Sequence, residues 1–150
     1  FSRDFFEELF DLGRNILGDL FLLDAVAQQI YQVDLNGDRA DALALGTSFY
    51  RPRGMGVDVG GSLLVADTGG ARVVMLSPGG QVMAQFGGPD TLLGQGQPVD
   101  AAALPNGALW AVTAEDGRLW RLDQGVGWGV VPRTNTFDAP HLAGLTNSAF

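Results

Sequence analysis

Cysteine and lysine are both absent from the 150 residues, and histidine occurs once. Without cysteine there is no disulfide framework and no thiolate metal site, yet the redox compartment stays open, because large secreted domains also do without disulfides. The single histidine, His141, excludes a histidine-rich zinc centre built from this chain alone. A Ser-His-Asp arrangement would have to use it too, and no Gly-x-Ser-x-Gly elbow is present to serve one. With no lysine, nine arginines face 17 Asp and Glu, for a formal net charge of -8. A phosphate backbone needs clustered cations to displace its counterions, so nucleic acid is not expected as a partner. Long apolar runs are missing as well. The best, Ile16 to Ala27, is cut by Asp19 and Asp24 and falls short of the roughly 18 residues a bilayer span requires, so no membrane span is expected in this chain. Gly54 to Gly60 is one residue too long for Gly-x-Gly-x-x-Gly and precedes a strand rather than a helix, which leaves a dinucleotide site unsupported. No cofactor or metal is expected.

What is abundant is glycine, with 22 residues, about twice its usual share of about 7%. Many tight turns follow, which suit short antiparallel strands better than helices, and an all-β architecture is expected. The sequence then repeats itself. Gly61-Ser-Leu-Leu-Val-Ala-Asp67 matches Gly18-Asp-Leu-Phe-Leu-Leu-Asp24 at a shift of 43 residues and Gly107-Ala-Leu-Trp-Ala-Val-Thr113 at a shift of 46. The same shifts align Gln29 to Val33, Arg72 to Leu76 and Arg118 to Leu122, and Pro52 with Pro98; Pro140 opens a further unit. In the clearest copy four apolar runs, Gly54 to Asp58, Ser62 to Ala66, Ala71 to Leu76 and Gln81 to Phe86, are separated by glycine-rich turns. Four strands in a repeat of about 40 to 50 residues make one blade of a β-propeller, because a single four-stranded sheet cannot cover both its faces and must stack against its neighbours.

The spacing predicts a lead-in at residues 1–8, blades at 9–48, 52–88 and 98–135, and the first strand of a fourth at 140–150. Phe1, Phe5, Phe6, Leu9, Phe10 and Leu12 recur at helical spacing, with Asp4 and Glu7 placed for capping, so a short helix from about Asp4 to Leu12 is one reading. Register instead puts the inner strand of the first blade at Leu9 to Asn15. Propellers close with about 4 to 8 blades, so the ring is incomplete. The chain is expected to be an excerpt of a longer protein, or to be completed by copies or a partner chain.

Pro52-Arg-Gly54, the strand ending at Asp67, the short turn and Arg72 with its following strand resemble an NHL repeat, as does the tail from Gln85 through Gly94-Gln-Gly-Gln-Pro98. The resemblance is strong in the middle unit. Unit one carries Gln29 where Arg72 stands, and unit three Thr113 where Asp67 stands. It covers roughly residues 9 to 145 and implies the propeller fold more firmly than any activity. An interaction or scaffolding module is the function it suggests, as a subunit or outer domain of a larger membrane-associated or cell-surface assembly, with an extracytoplasmic place favoured. Its partner would be a protein or the remaining blades. The rival is a propeller hydrolase or lyase with a metal-assisted site in the central channel, drawing on the inner-strand residues Asp11, Asp58, Asp100 and His141, whose carboxylates do not share one register position.

Asp24 and Asp67 end second strands, where a carboxylate accepts hydrogen bonds from the following turn. Arg72 and Arg118 open third strands, placed to bridge to a neighbouring blade or to meet a ligand. His141 aligns with Arg53 and Val99 at the opening of an inner strand, near the channel. Trp110, Trp120 and Trp128 lie on successive strands of unit three and are expected between blades, Trp128 in the outermost strand being the one placed to meet a partner. Asp34-Leu-Asn-Gly-Asp38 alternates like a calcium loop but has Arg39 at the glycine position, so a hairpin turn is expected.

Overall fold

The computed structural model describes residues 9–14, 19–34, 36, 38–91, 93, 96–115, 117–123 and 127–131, with the side chains of 9–14, 123, 127, 128 and 130 outside that description. Among the described residues, twelve strands fall into three sheets in strict sequence order. The first holds β1 (Leu9–Arg14), β2 (Leu20–Asp24), β3 (Gln29–Asp34) and β4 (Arg39–Ala42). The second holds β5 (Gly54–Val57), β6 (Leu63–Asp67), β7 (Arg72–Leu76) and β8 (Val82–Gly87). The third holds β9 (Pro98–Ala103), β10 (Leu109–Thr113), β11 (Leu119–Asp123) and β12 (Gly127–Val130). Every neighbouring pair is antiparallel, so each sheet is a meander, the blade unit of a β-propeller. Leu9–Arg14 is a strand paired with β2. The lead-in at 1–8, the start of a fourth blade at 140–150, His141 and the indole of Trp128 lie outside the described residues.

Alternation along the second strand of each blade builds the stack. Phe21 and Leu23 of β2 point into a core shared with Leu63 and Val65 of β6, joined by Ile30, Phe49, Met55, Val74 and Leu76. Leu64 of β6 points the other way, with Val73, into a second core shared with Leu109 and Ala111 of β10 and with Trp120. Sheet two is therefore buried on both faces, and β6 is buried at all five positions, which is why Leu63 to Ala66 are all apolar. The described tryptophans divide accordingly: Trp120 fills the junction between blades two and three, while the Trp110 indole stacks beneath the Arg121 guanidinium at 5.7 Å.

The first strands crowd together toward the ring axis. β5 lies against β1 on one side and β9 on the other. A Cβ at Gly54 would run into the Val99 carbonyl and come within 2.8 Å of the Asp100 Cα, and one at Gly56 would lie 2.7 Å from the Ala101 carbonyl oxygen. Those two glycines let the β5 and β9 backbones approach. Between β3 and β4, Asp34 Oδ1 accepts the Asn36 N–H at 3.0 Å, and Asp34 pairs with Arg39 across the hairpin.

Candidate functional site

The link from β4 to β5 crosses over the β6–β7 turn and is clamped there. Gly69 N–H donates to the Tyr50 carbonyl at 2.8 Å, and Tyr50 N–H donates to Asp67 Oδ1 at 2.7 Å. Arg72 closes the clamp. Its Nε donates to Asp67 Oδ2 at 2.8 Å, one Nη to Gln85 Oε1 at 2.6 Å, and the other Nη to the Ser48 carbonyl at 2.7 Å and Thr47 Oγ1 at 3.3 Å. Asp67 is 1% exposed and Arg72 19%, so this is a nearly dry pair with its hydrogen bonds made. The side chain at 69 must be absent, because a Cβ there would run into Tyr50.

Held this way, residues 50–53 form one wall of a cavity of about 440 Å³ at the end of the sheets where the blade-to-blade links and the second turns gather. Ala25 and Val26 of the β2–β3 turn face them, Thr68 and Gly69 lie alongside, and Gln97 arrives from the link into blade three. Tyr50 is 56% exposed, with the Arg51 guanidinium stacked on its ring at 5.5 Å. Arg53 supplies a second exposed cation, while Pro52 is buried. The volume falls within the range of small-ligand sites, and the mixture of apolar surface with a few directed polar groups suits recognition.

Of the candidate site residues with described side chains, Asp24, Asp67, Arg72 and Arg118 do not line this cavity, whereas Pro52 and Arg53 of the NHL-like opening do. Asp67 and Arg72 are brought together, but Asp67 reaches back to the link rather than forward to the turn, because Arg72 stands opposite it in register and both its oxygens are used. Asp24 has Gln29 opposite instead, and its Oδ1 accepts from Val26 N–H at 3.1 Å and Ala27 N–H at 2.9 Å. Arg118 has an exposed side chain, and its carbonyl accepts the Thr113 N–H at 3.0 Å. Trp128 pairs with Leu122 through β12. Of the inner-strand carboxylates, two are tied to local backbone, while the Asp11 side chain lies outside the described residues: Asp58 Oδ1 accepts from Gly60 and Ser62 N–H (2.9 and 2.8 Å), and Asp100 Oδ1 from Ala101 N–H at 2.9 Å. Sequence reasoning did not single out Tyr50 or Arg51, and met Gln97 only as part of the link Gly94-Gln-Gly-Gln-Pro98. The one available signal was register, since Arg51 and Gln97 are 46 residues apart and each precedes one of the two aligned prolines, Pro52 and Pro98.

Three stacked meanders with loops gathered over their junction define the class: the chain forms consecutive blades of a β-propeller. Solved structures agree on the fold. A streptogramin B lyase aligns with a TM-score of 0.65 at 14% identity, over 85% of this chain and 42% of its own. Virginiamycin B lyase from Staphylococcus aureus aligns with a TM-score of 0.66 at 16% identity, over 84% of this chain and 41% of its own. YCF48 bound to D1 peptide aligns with a TM-score of 0.62 at 17% identity, over 81% of this chain and 39% of its own. The chain thus spans about two fifths of these structures' length. No protein-family model matches it, and no curated protein matches it in sequence. Among the described residues, no helix is long and apolar enough to cross a membrane.

Proposed function

We propose that the chain contributes its blades to an NHL-like propeller that works as a protein-binding or scaffolding module, within a larger membrane-associated or cell-surface assembly. On this reading, the repeat spacing assigns the blades to 9–48, 52–88 and 98–135 and the start of a fourth to 140–150. The observation that carries this reading is the loop-end cavity. It displays an exposed tyrosine and two arginines in a molecule of net charge -8, and Tyr and Arg are the side chains that most often anchor protein interfaces. Pro52-x-Gly54 and the Asp67–Arg72 pair support the NHL kinship. A similar structure, YCF48, is described with a bound peptide, which supports peptide or protein recognition by this architecture.

Differential capture tests it. The full-length protein and its Tyr50→Ser/Arg51→Ser variant are used as baits in parallel, with circular dichroism confirming equal folding. Partners held by the parent are expected to fall about tenfold or more on the variant, as loss of an aromatic and an arginine anchor implies. An identical partner set at equal yield would refute a loop-end binding role.

A further inference from the structure

We infer that the loop-end cavity receives a carboxylate group of an acidic peptide, with Arg51 as its anchoring cation; this names the partner chemistry of the site just proposed and rests on that proposal. Other arginines are engaged within the molecule. Arg39 pairs with Asp41 at 3.0 Å, Arg72 spends its guanidinium on four acceptors, and Arg121 lies over Trp110. Among the described residues Arg51 makes no hydrogen bond or ion pair, and its guanidinium stacks on the Tyr50 ring. Arg51 sits at φ 52 in the left-handed region, between a tyrosine clamped to blade two and a buried proline.

Stacking occupies one face of a planar guanidinium and leaves the N–H groups along its edge unspent, the geometry in which arginine grips a carboxylate through two parallel hydrogen bonds. Arg53 lines the same space and adds positive potential. Val26, 55% exposed, and the Tyr50 ring offer apolar surface beside the cations, which a peptide's neighbouring side chain would cover. Gln97 occupies the register position of Arg51 one blade on, with φ 55 against φ 52. Its amide, which can donate and accept, is suited to a peptide main chain running from one link toward the next. Two arginines are too few for a polyphosphate backbone in so acidic a molecule.

The probe is a short N-acetylated, unlabelled peptide alternating glutamate and leucine, titrated by isothermal calorimetry against the full-length protein. Companion peptides carry glutamine for glutamate, an amidated C-terminus, or both changes. The carboxylate-bearing peptides are expected to bind, and the peptide lacking every carboxylate to bind about tenfold or more weakly, as follows from losing a charge-assisted pair. Arg51→Gln should weaken binding by a similar factor, raised salt should weaken it further, and Arg39→Gln should leave it unchanged. Loss on amidation would assign the carboxylate to the chain end, and loss on glutamine replacement to side chains; either supports the inference. It is overturned if no peptide binds, if Arg51→Gln binds as the parent does, or if inorganic phosphate competes more strongly than the acidic peptide. Equal binding of the uncharged peptide, abolished by Tyr50→Ser, would overturn the acid preference while leaving loop-end recognition in place.

Discussion

At the close of the second strand in each blade stands one register position whose three occupants meet different neighbours. Asp24 turns to the N–H groups of its own turn. Asp67 is drawn to Arg72 and to the incoming link. Thr113 accepts the Trp120 indole N–H at 3.0 Å. What stands opposite decides the outcome: Gln29, Arg72 or Arg118. Arg72→Ala strands a buried carboxylate and releases the link, and is expected to cost about 2–4 kcal/mol in denaturant unfolding. Arg39→Ala removes a pair whose partners are 68% and 59% exposed and should shift the midpoint by no more than about 0.5 kcal/mol equivalent. Gly69→Ala drives a methyl into Tyr50 and is expected to cost about 1–3 kcal/mol. Gly129, where an added Cβ would meet nothing within 4 Å, should accept alanine without loss.

Among the elements, the repeat extends from residue type to backbone conformation. Gln28, Ala71 and Gly117, at shifts of 43 and 46, share φ values of 55, 55 and 59. Gly61 and Gly107 share 88 and 85. Turns thus recur as geometry even where the residue changes. Glycine is free at such positions and an L side chain is strained, so the exposed Gln28→Gly is expected to leave Tm unchanged or raise it by up to about 4 °C. Gly107→Ala should lower Tm by several degrees. These strands and turns were legible because each blade must restate the same alternation and the same turn chemistry. The cavity was not. Its walls come from residues 25–26, 50–53, 68–69 and 97, and the side chains that make it distinctive stand at positions where the units differ. A repeat reports what blades share, whereas a recognition surface is made from what they do not.

For the whole molecule, the burial of each sheet reports its place in the stack. Sheet two is covered on both faces. In sheet three the inward residues Leu109 and Ala111 are buried, while Val112 and Leu119 on the other face remain 40% and 39% exposed around a cavity of about 170 Å³ beside Trp110. Leu64→Ala opens a hole between two blades and should cost about 2–5 kcal/mol; Val112→Ala, on the open face, should cost under about 1 kcal/mol. The period made the stacking legible from sequence, because an apolar strand with polar residues on neither face must be covered twice.

The most direct test is a methyl-labelled NMR measurement of nuclear Overhauser contacts around β6. Leu63 and Val65 should show cross-peaks to Phe21 and Ile30 of blade one, while Leu64 shows them to Leu109, Ala111 or Trp120 of blade three. Cross-peaks placing Leu63 and Leu64 in one shared environment, or linking blade one directly to blade three through a common core, would contradict a stack of three separate sheets.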